Sequence, residues 1–401
     1  MLTQNKVRGT RARSDRWTQQ DGEPERAEIE VLGPEPETEQ QPTIVALVPA
    51  HNEADVIADC LNSILAQTRV PDLVVVIADN CTDATADIAR EFGGPVVVME
   101  TEDNDLRKVG ALSQAWVRFG QDAPYVLGVD ADTKLAPGCV EQLFKEMESN
   151  ENAGGIMARY TFHQSEAKGL VANYLLRQQR MEFAGWTMDL LRRDGATYVL
   201  GGQATLFRGD TMRQVVKDLR RPAPWSTASE VEDMELTWRF NDLGWDTLCS
   251  HQARAYIGPM HTFKTIWAQR RKWGTGIIHL LRANGFRKHT SHPWRLQAKM
   301  LLDTSIRLLF VMLLTISLHR NSWVWSWIWI IPPLTASVLN FRIARRMPDR
   351  TVKDVVSAVL LVPGEIYLMF SIAVWLTCWA NVLLGIQRDG WSAQYRAEGK
   401  A

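Results

Sequence analysis

From Thr43 onward, short unbroken apolar runs alternate with segments whose apolar residues recur at helical spacing. Ile44-Val45-Ala46-Leu47-Val48-Pro49 is a run of the kind required by a parallel strand buried on both faces. Glu53 to Gln67 then carries Val56, Ile57, Cys60, Leu61, Ile64 and Leu65 on one helical stripe, and Leu73 to Ala78 is a second buried run. The same pattern predicts helices over Thr82 to Phe92 and Val109 to Phe119. It predicts strands over Pro95 to Met99 and Tyr125 to Val129, the last ending on Asp130. This alternation predicts a doubly wound α/β sheet, in which ligands bind at the carboxyl ends of the strands. The polar clusters His51-Asn52-Glu53, Asp79-Asn80 and Asp130-Ala131-Asp132 all fall at such ends.

The two ends of the chain read differently. Residues 1–42 are rich in Arg, Gln, Glu, Pro and Thr and have too little apolar surface to offset ordering entropy, so a disordered tail is expected. With no apolar stretch behind its basic residues it does not read as a secretory signal, which leaves the following domain on the cytoplasmic side. The C-terminal third is apolar on the scale of a bilayer. Met300 to Leu318 is interrupted only by Asp303 and Arg307, one helical turn apart; Trp323 to Phe341 is broken at Pro332-Pro333. Val355 to Ile386 is expected to split at Pro363-Gly364-Glu365, and its longer part, 364–386, either crosses or re-enters; re-entry would return Trp391 to the catalytic side. Arg282, Arg287, Lys288, Arg295 and Lys299 before the first segment, and Arg342, Arg345, Arg346, Arg350 and Lys353 after the second, set both flanks on the cytoplasmic face. Ile266 to Leu281 sets Trp267, Arg270, Arg271 and Trp273 beside Ile277, Ile278, Leu280 and Leu281, a pattern suited to lying along headgroups. A multi-pass membrane location results. A soluble protein with buried helices is the alternative.

Charge and cysteine usage then narrow the function. Forty-five basic against 46 acidic side chains leave a net charge of −1, which gives no footprint for nucleic acid. Cys60, Cys81, Cys139, Cys249 and Cys378 contain no CxxC pair, fitting neither a zinc site nor a disulfide framework and suiting a reducing compartment.

Asp130 and Asp132 flank one small residue just past a buried strand, so both carboxylates can approach one Mg²⁺ or Mn²⁺ carrying phosphates. A solvated Asp-rich turn is the plainer reading of the same residues. Glu53 and Asp79 equally suit caps for the helices that follow them, and Glu232-Asp233 suits the first turn of a helix over Met234 to Leu243.

Taken together, Val48-Pro49-Ala50-His51-Asn52-Glu53, Ala78-Asp79-Asn80-Cys81-Thr82-Asp83-Ala84-Thr85, Lys108-Val109-Gly110-Ala111-Leu112-Ser113 and Asp130-Ala131-Asp132 resemble the family 2 glycosyltransferases of GT-A fold. Gly201 to Arg208 resembles that family's acceptor-side glycine segment and Glu230-Val231-Glu232-Asp233 its acidic catalytic motif. Gln269-Arg270-Arg271-Lys272-Trp273 resembles the QxxRW box of membrane-integrated, often processive members such as poly-N-acetylglucosamine, hyaluronan and cellulose synthases. The resemblance covers about Thr43 to Trp391.

It implies a catalytic domain over 43–262, interfacial helices over 263–299, membrane helices over 300–386 (about 300–318, 323–341 and 364–386) and a tail over 387–401. It also implies an inverting, metal-dependent transfer from a nucleotide-sugar, a UDP-sugar by family habit, to a glycan, lipid-linked or protein acceptor, with a partner subunit for export as one option. Ala50, Asn52, Glu53, Asp79, Lys108 and Asp130 would hold the donor, and Asp130 with Asp132 the metal. Asp233, beside Glu232, would be the base. Gln203, Gln269, Arg270, Arg271 and Trp273 would serve the acceptor, the product or the diphosphate. Trp273 suits stacking and interfacial anchoring equally. Two departures stand out: Lys272 replaces the usual arginine, whose planar grip Arg270 or Arg271 would then supply, and Ala78-Asp79 replaces a pair of aspartates. The box favours a polysaccharide synthase; transfer of a single sugar is the alternative. An inactive scaffold would have lost some of Asp79, Asp130, Asp132 and Asp233, and all four are present.

Overall fold

The computed structural model describes residues 43–162, 166–320, 330–386 and 389–400; the expected tail over 1–42 lies outside them. The alternating pattern is realised as β1 (Ile44–Ala50), α1 (Ile57–Leu65), β2 (Leu73–Ala78), α2 (Thr85–Arg90), β3 (Val96–Glu100), α3 (Arg107–Ala115), β4 (Tyr125–Gly128), β5 (Lys134–Leu135), α4 (Cys139–Glu148), β6 (Ala153–Phe162), α5 (Leu170–Arg192), β7 (Thr205–Arg208), α6 (Gly209–Leu219), α7 (Glu232–Asp242) and β8 (Asp246–Ile257). One mixed sheet of order β3-β2-β1-β4-β7-β6-β8-β5 results. β1 to β4 run parallel, and β7 enters antiparallel to both β4 and β6.

The unbroken apolar run of β1 follows from its central place. Successive side chains point to opposite faces, and both faces are covered. Ile44, Ala46 and Val48 pack with Ile57, Leu61 and Ile64 of α1 and Leu143 of α4. Val45 and Leu47 pack on the other side with Leu112 of α3, Met212 of α6 and Phe240 of α7. β2 obeys the same rule, with Val74 and Val76 on the first face and Val75 and Ile77 on the second.

The C-terminal part contains α8 (Phe263–Asn284), α9 (Ser291–His319), α10 (Ile331–Ala344), α11 (Val352–Val359), α12 (Leu361–Leu383) and α13 (Gly390–Glu398). Among the described residues, α9 and α12 are the helices long and apolar enough to cross a membrane. Of the second expected span, the described portion lies in α10, a helix of 14 residues. Residues 321–329 of that expectation lie outside the described residues. The expected break at Pro363-Gly364-Glu365 falls instead at Leu360, whose extended backbone (φ −69°, ψ 121°) separates α11 from α12. Pro363 thereby sits in the first turn of α12, where a missing N–H costs nothing.

α12 is tied to α5 of the sheet-bearing part near its start and to α8 near its end. Tyr174 donates to the Pro363 carbonyl (2.9 Å) and Tyr367 to Glu182 (2.8 Å), while near the other end Arg282 donates to the Val382 carbonyl (3.4 Å). α8 is buried along Ile266, Lys272, Gly276, Ile278 and Leu281, so the helix expected to lie on headgroups is sandwiched instead between α7 and α12. Asp303 and Arg307 stand 4.0 Å apart, but their shorter pairs are Lys299–Asp303 (2.9 Å) and Arg307–Glu365 (2.9 Å), the second linking α9 to α12.

α11 is locked to α5 by Asp354, which is 1 % exposed, caps its own helix through Thr351 and faces Arg180 (3.4 Å) and Arg177 (3.7 Å). Removing one partner of a buried ion pair leaves the other charge without compensation. Asp354→Ala is therefore expected to lower stability by about 3–5 kcal/mol, read as a lowered unfolding midpoint of the detergent-solubilised protein.

Candidate active site

Parallel strands expose their carboxyl ends along one edge, and the register sets Ala50 beside Ala78, with β4 ending next to them. The loops that follow carry most of the expected donor residues. Asn52 and Asn80 take left-handed backbone conformations (φ 54° and 49°), which asparagine tolerates better than most residues, and these turn the chain sharply off the strands. The Asn52 amide oxygen accepts from the Thr82 N–H (2.8 Å), fastening the first loop to the second.

Asp79 is buried, and one of its oxygens accepts from Asn104 (2.6 Å), Thr101 (3.0 Å) and Asn80 (3.1 Å). It caps no helix; that task falls to Asp83, whose carboxylate accepts from the Thr85 N–H (3.0 Å) and the Ala54 N–H (3.0 Å). The Glu53 side chain does not cap either: it takes an ion pair from Lys400 (2.5 Å), while burial pushes its carboxyl up and Lys400 opposes that push. Neither Glu53 nor Asp79 thus caps a helix through its side chain.

Deeper in, Lys108 at the start of α3 gathers carboxylates from two distant parts of the chain. Its ammonium lies 2.5 Å from Asp130 and 3.8 Å from Glu232. Burial works against this charge, but Asp130 and Glu232 outweigh it and hold the lysine above its ordinary range. Gly202 closes over the pair. A Cβ there would stand 2.7 Å from the Lys108 nitrogen and 2.8 Å from an Asp130 oxygen, so only glycine admits this approach. Asp233, in the first turn of α7, accepts from the N–H of its neighbour Met234 (2.7 Å); withdrawal from water and the adjoining Glu232 push it up to about 7. Asp132 is likewise raised to about 7, by withdrawal from water and then by the charges of Asp130 and Glu53.

Asp130 and Asp132 fit a divalent cation by this test: two oxygen donors at adjacent positions crowd negative charge that a cation would relieve. Among the described residues no group of three or more His, Cys, Asp or Glu side chains forms a metal cage. The remaining ligands would therefore come from a bound molecule such as a diphosphate or from water.

The acceptor-side expectations divide. Gln203 stands beside the cluster, and its buried Oε1 has no partner. Gln269 accepts from Arg270 (2.8 Å), and Arg270 pairs with Glu182 (2.8 Å) and lies over the Trp273 ring (4.5 Å), with α12 behind them. Trp273 is partly buried and packs among residues of α7 and the Phe162 cluster. Arg270 is engaged with Glu182. Lys272 itself faces the acidic centre, where burial lowers it to about 8 against the pull of Glu232.

The sequence reading missed the roof. α13 and the residues after it lie across the pocket from end to end. Asp389 forms a bidentate pair with Arg107, the Gly390 N–H donates to Glu230 (2.8 Å), and Trp391 covers the Lys272 ammonium at 3.1 Å. Tyr395 stacks on His51 (4.8 Å), and the Lys400 carbonyl accepts from Asn52 (3.3 Å). The one signal for this in the sequence was the possible return of Trp391 to the catalytic side. Gly390 is required there: a Cβ would stand 2.9 Å from both Glu230 and Lys272.

Comparisons with known proteins bear on this arrangement. A model of glycosyl transferase family 2 matches residues 45–202, and one of glycosyl transferase family group 2 matches residues 125–343. The chain belongs to the family 2 glycosyltransferases. This glycosyltransferase is 22% identical over 245 residues to the poly-beta-1,6-N-acetyl-D-glucosamine synthase of Staphylococcus epidermidis, covering 60% of this chain and 56% of that protein. It is 23% identical over 238 residues to the enzyme of the same name from Staphylococcus aureus (strain MSSA476), covering 58% and 54%. The chain thus spans about half the length of these curated relatives. Its fold is that of a mannosyltransferase, PcManGT from Pyrobaculum calidifontis, solved in complex with GDP-Man and Mn²⁺. The TM-score is 0.51 at 16% identity, over 86% of this chain and 88% of the other. The GT-A fold follows.

Gly202→Ala is expected to part Lys108 from Asp130 and to reduce glycosyl transfer by about tenfold or more, with little change in the unfolding midpoint. Equal loss of both would assign the glycine to stability alone.

Proposed function

We propose that this glycosyltransferase moves a sugar from a nucleotide-sugar, a UDP-sugar, onto a glycan acceptor at a membrane, inverting the anomeric configuration, with Asp233 as the base. The observation that carries the reading is the cluster built by Lys108, Asp130 and Glu232 beneath Gly202, with Asp233 next to Glu232 in the first turn of α7. A carboxylate with a pKa near neutrality is a competent proton acceptor at the pH where it is half ionised.

In this reading the acceptor hydroxyl oxygen attacks the anomeric carbon on the face opposite the diphosphate. Its proton passes to an Asp233 oxygen, the anomeric C–O bond breaks, and the bonding pair leaves with the nucleoside diphosphate. Ala50, Asn52, Glu53 and Asp79 line the nucleotide end, and Lys108 lies between it and the reacting centre. Asp130 and Asp132 would hold Mg²⁺ or Mn²⁺, whose charge would offset that building on the leaving diphosphate. Gln203 offers its unpartnered oxygen to an acceptor hydroxyl, and Trp273 with Arg270 forms the wall toward α12. The last residues of the chain engage Asn52 and Glu53, so the donor must displace Lys400 or share those groups with it.

Membrane association is supported by α9 and α12 and by the exposed apolar side chains of α9, among them Leu308, Phe310 and Met312. Because α12 is bonded near its start to α5 and near its end to α8, it is proposed to lie along the interface and re-enter, which keeps the tail from 387 on the cytoplasmic, catalytic side. A polysaccharide synthase is the reading favoured by the Gln269 to Trp273 box. Transfer of one sugar to a lipid or protein acceptor is favoured by the small number of described helices long enough to cross.

Release of nucleoside diphosphate by the purified protein with Mn²⁺, against a panel of UDP- and GDP-sugars, tests the donor, and a ladder of long products or one added sugar separates the two acceptor readings. Asp233→Asn is expected to abolish transfer while leaving nucleotide binding nearly intact; retained turnover would remove it as the base. In the wild type, kcat/KM is expected to fall tenfold per pH unit as pH drops below about 7, where Asp233 takes up its proton. An unperturbed aspartate would delay that fall to about pH 4.

A further inference from the structure

A cavity of about 70 Å³ opens on the far side of Tyr160 from the catalytic cluster, between β6, β8, α5 and the turn that follows α10. Arg159, Arg254 and Arg346 all line it, above an apolar floor that includes Phe183, Met188 and Pro348. Arg159 donates through one terminal nitrogen to the His251 carbonyl, but its buried Nε has no partner. Among the described residues none of the three arginines has a carboxylate within ion-pair distance, although other arginines of this chain pair freely. Burial and the facing charge of Arg254 both push Arg159 below its ordinary range, with Glu146 among the groups that pull the other way. The buried Nε of Arg159 is an unsatisfied donor that an anion in the cavity would complete, and Arg254 and Arg346 line the same cavity with further positive charge.

The position of the cavity identifies the anion. α10 exposes Ile331, Leu334, Val338, Leu339 and Phe341, and then carries Arg342, Arg345 and Arg346 at its end. An apolar stretch followed at once by arginines marks the passage from hydrocarbon to headgroups. Arg346 thus sets the cavity at the depth of lipid phosphates. Its volume holds about five waters on the scale where one needs about 10–15 Å³, enough for a tetrahedral anion, and guanidinium groups grip phosphate through paired N–H donors.

We propose that Arg159, Arg254 and Arg346 form a binding site for the phosphate headgroup of an anionic membrane phospholipid. The site has a direct line to the catalytic cluster: Tyr160 lines the cavity, and its hydroxyl stands 3.4 Å from where a Cβ of Gly201 would be, next to the Gly202 that covers Asp130. Lipid occupancy thereby braces the glycine segment from behind. The proposal rests on the membrane association proposed above.

The test uses the full chain in neutral detergent, titrated with phosphatidylglycerol or with phosphatidylcholine and read by the unfolding midpoint, alongside flotation on vesicles of phosphatidylcholine alone. Phosphatidylglycerol is expected to raise the midpoint at concentrations where phosphatidylcholine does not. Arg159→Gln/Arg254→Gln should weaken that response by about tenfold or more. Arg346→Gln, at an exposed position that leaves folding intact, should weaken it several-fold. Equal responses to the two lipids, a full response retained in both variants, or a midpoint raised as well by inorganic phosphate as by phosphatidylglycerol would overturn the lipid site. Failure to float on phosphatidylcholine vesicles would instead overturn the membrane association on which it rests.

Discussion

The arrangement of this glycosyltransferase turns on a single ammonium group. Asp130 ends the fourth strand's loop and Glu232 begins α7, about a hundred residues later in the chain, and in low-dielectric surroundings their charges would repel at close range. Lys108 lies between them at 2.5 and 3.8 Å and makes their approach favourable. Once they are fixed, Asp233 is held beside Glu232 at the head of α7 and rises toward neutrality, while Asp132 rises for the same reasons on the other side. The small size of Gly202 lets a third segment close over the contact. The raised Asp233 and Asp132 carboxyls and the cover at Gly202 thus belong to one compensated charge cluster.

Everything behind the cluster serves to hold it still. β1, β2 and β4 are buried on both faces, so their carboxyl ends are set by packing on two sides, and the loops that leave them are short and cross-bonded through Asn52, Thr82, Asp83 and Thr85. On the opposite flank α8 is gripped between α7 and α12, which carries Lys272 and Trp273 to the same centre. The chain's last residues then bridge the two flanks, from Glu53 and His51 on one side to Glu230 and Lys272 on the other. The contacts of α13 and the residues after it are ion pairs, hydrogen bonds and one stacked ring, which separate at lower cost than packed core, so the roof is the part of the site best suited to opening.

The sequence by itself determined the first four strands of the sheet and the helices between them. Strand and helix positions from Ile44 to Gly128 follow from local periodicity, because a parallel strand covered on both faces must be apolar throughout and its covering helices must be amphipathic. The polar clusters at the strand ends were legible for the same reason, and the motifs at Asp130, Gly202 and Asp233 carried the family. Only the tertiary structure decided which of several chemically equivalent residues does what. Asp83 rather than Asp79 or Glu53 caps, because the turn brings its oxygens to the free N–H groups of Thr85 and Ala54. Lys272 rather than Arg270 faces the carboxylates, because one turn of α8 points inward and its neighbour points toward Glu182. The break of the last apolar segment at Leu360, the attachment of α12 at both ends and the return of Lys400 to Glu53 all depend on contacts between residues far apart in the chain. Periodicity reports which face of an element is apolar; it carries no information on which distant surface that face will meet.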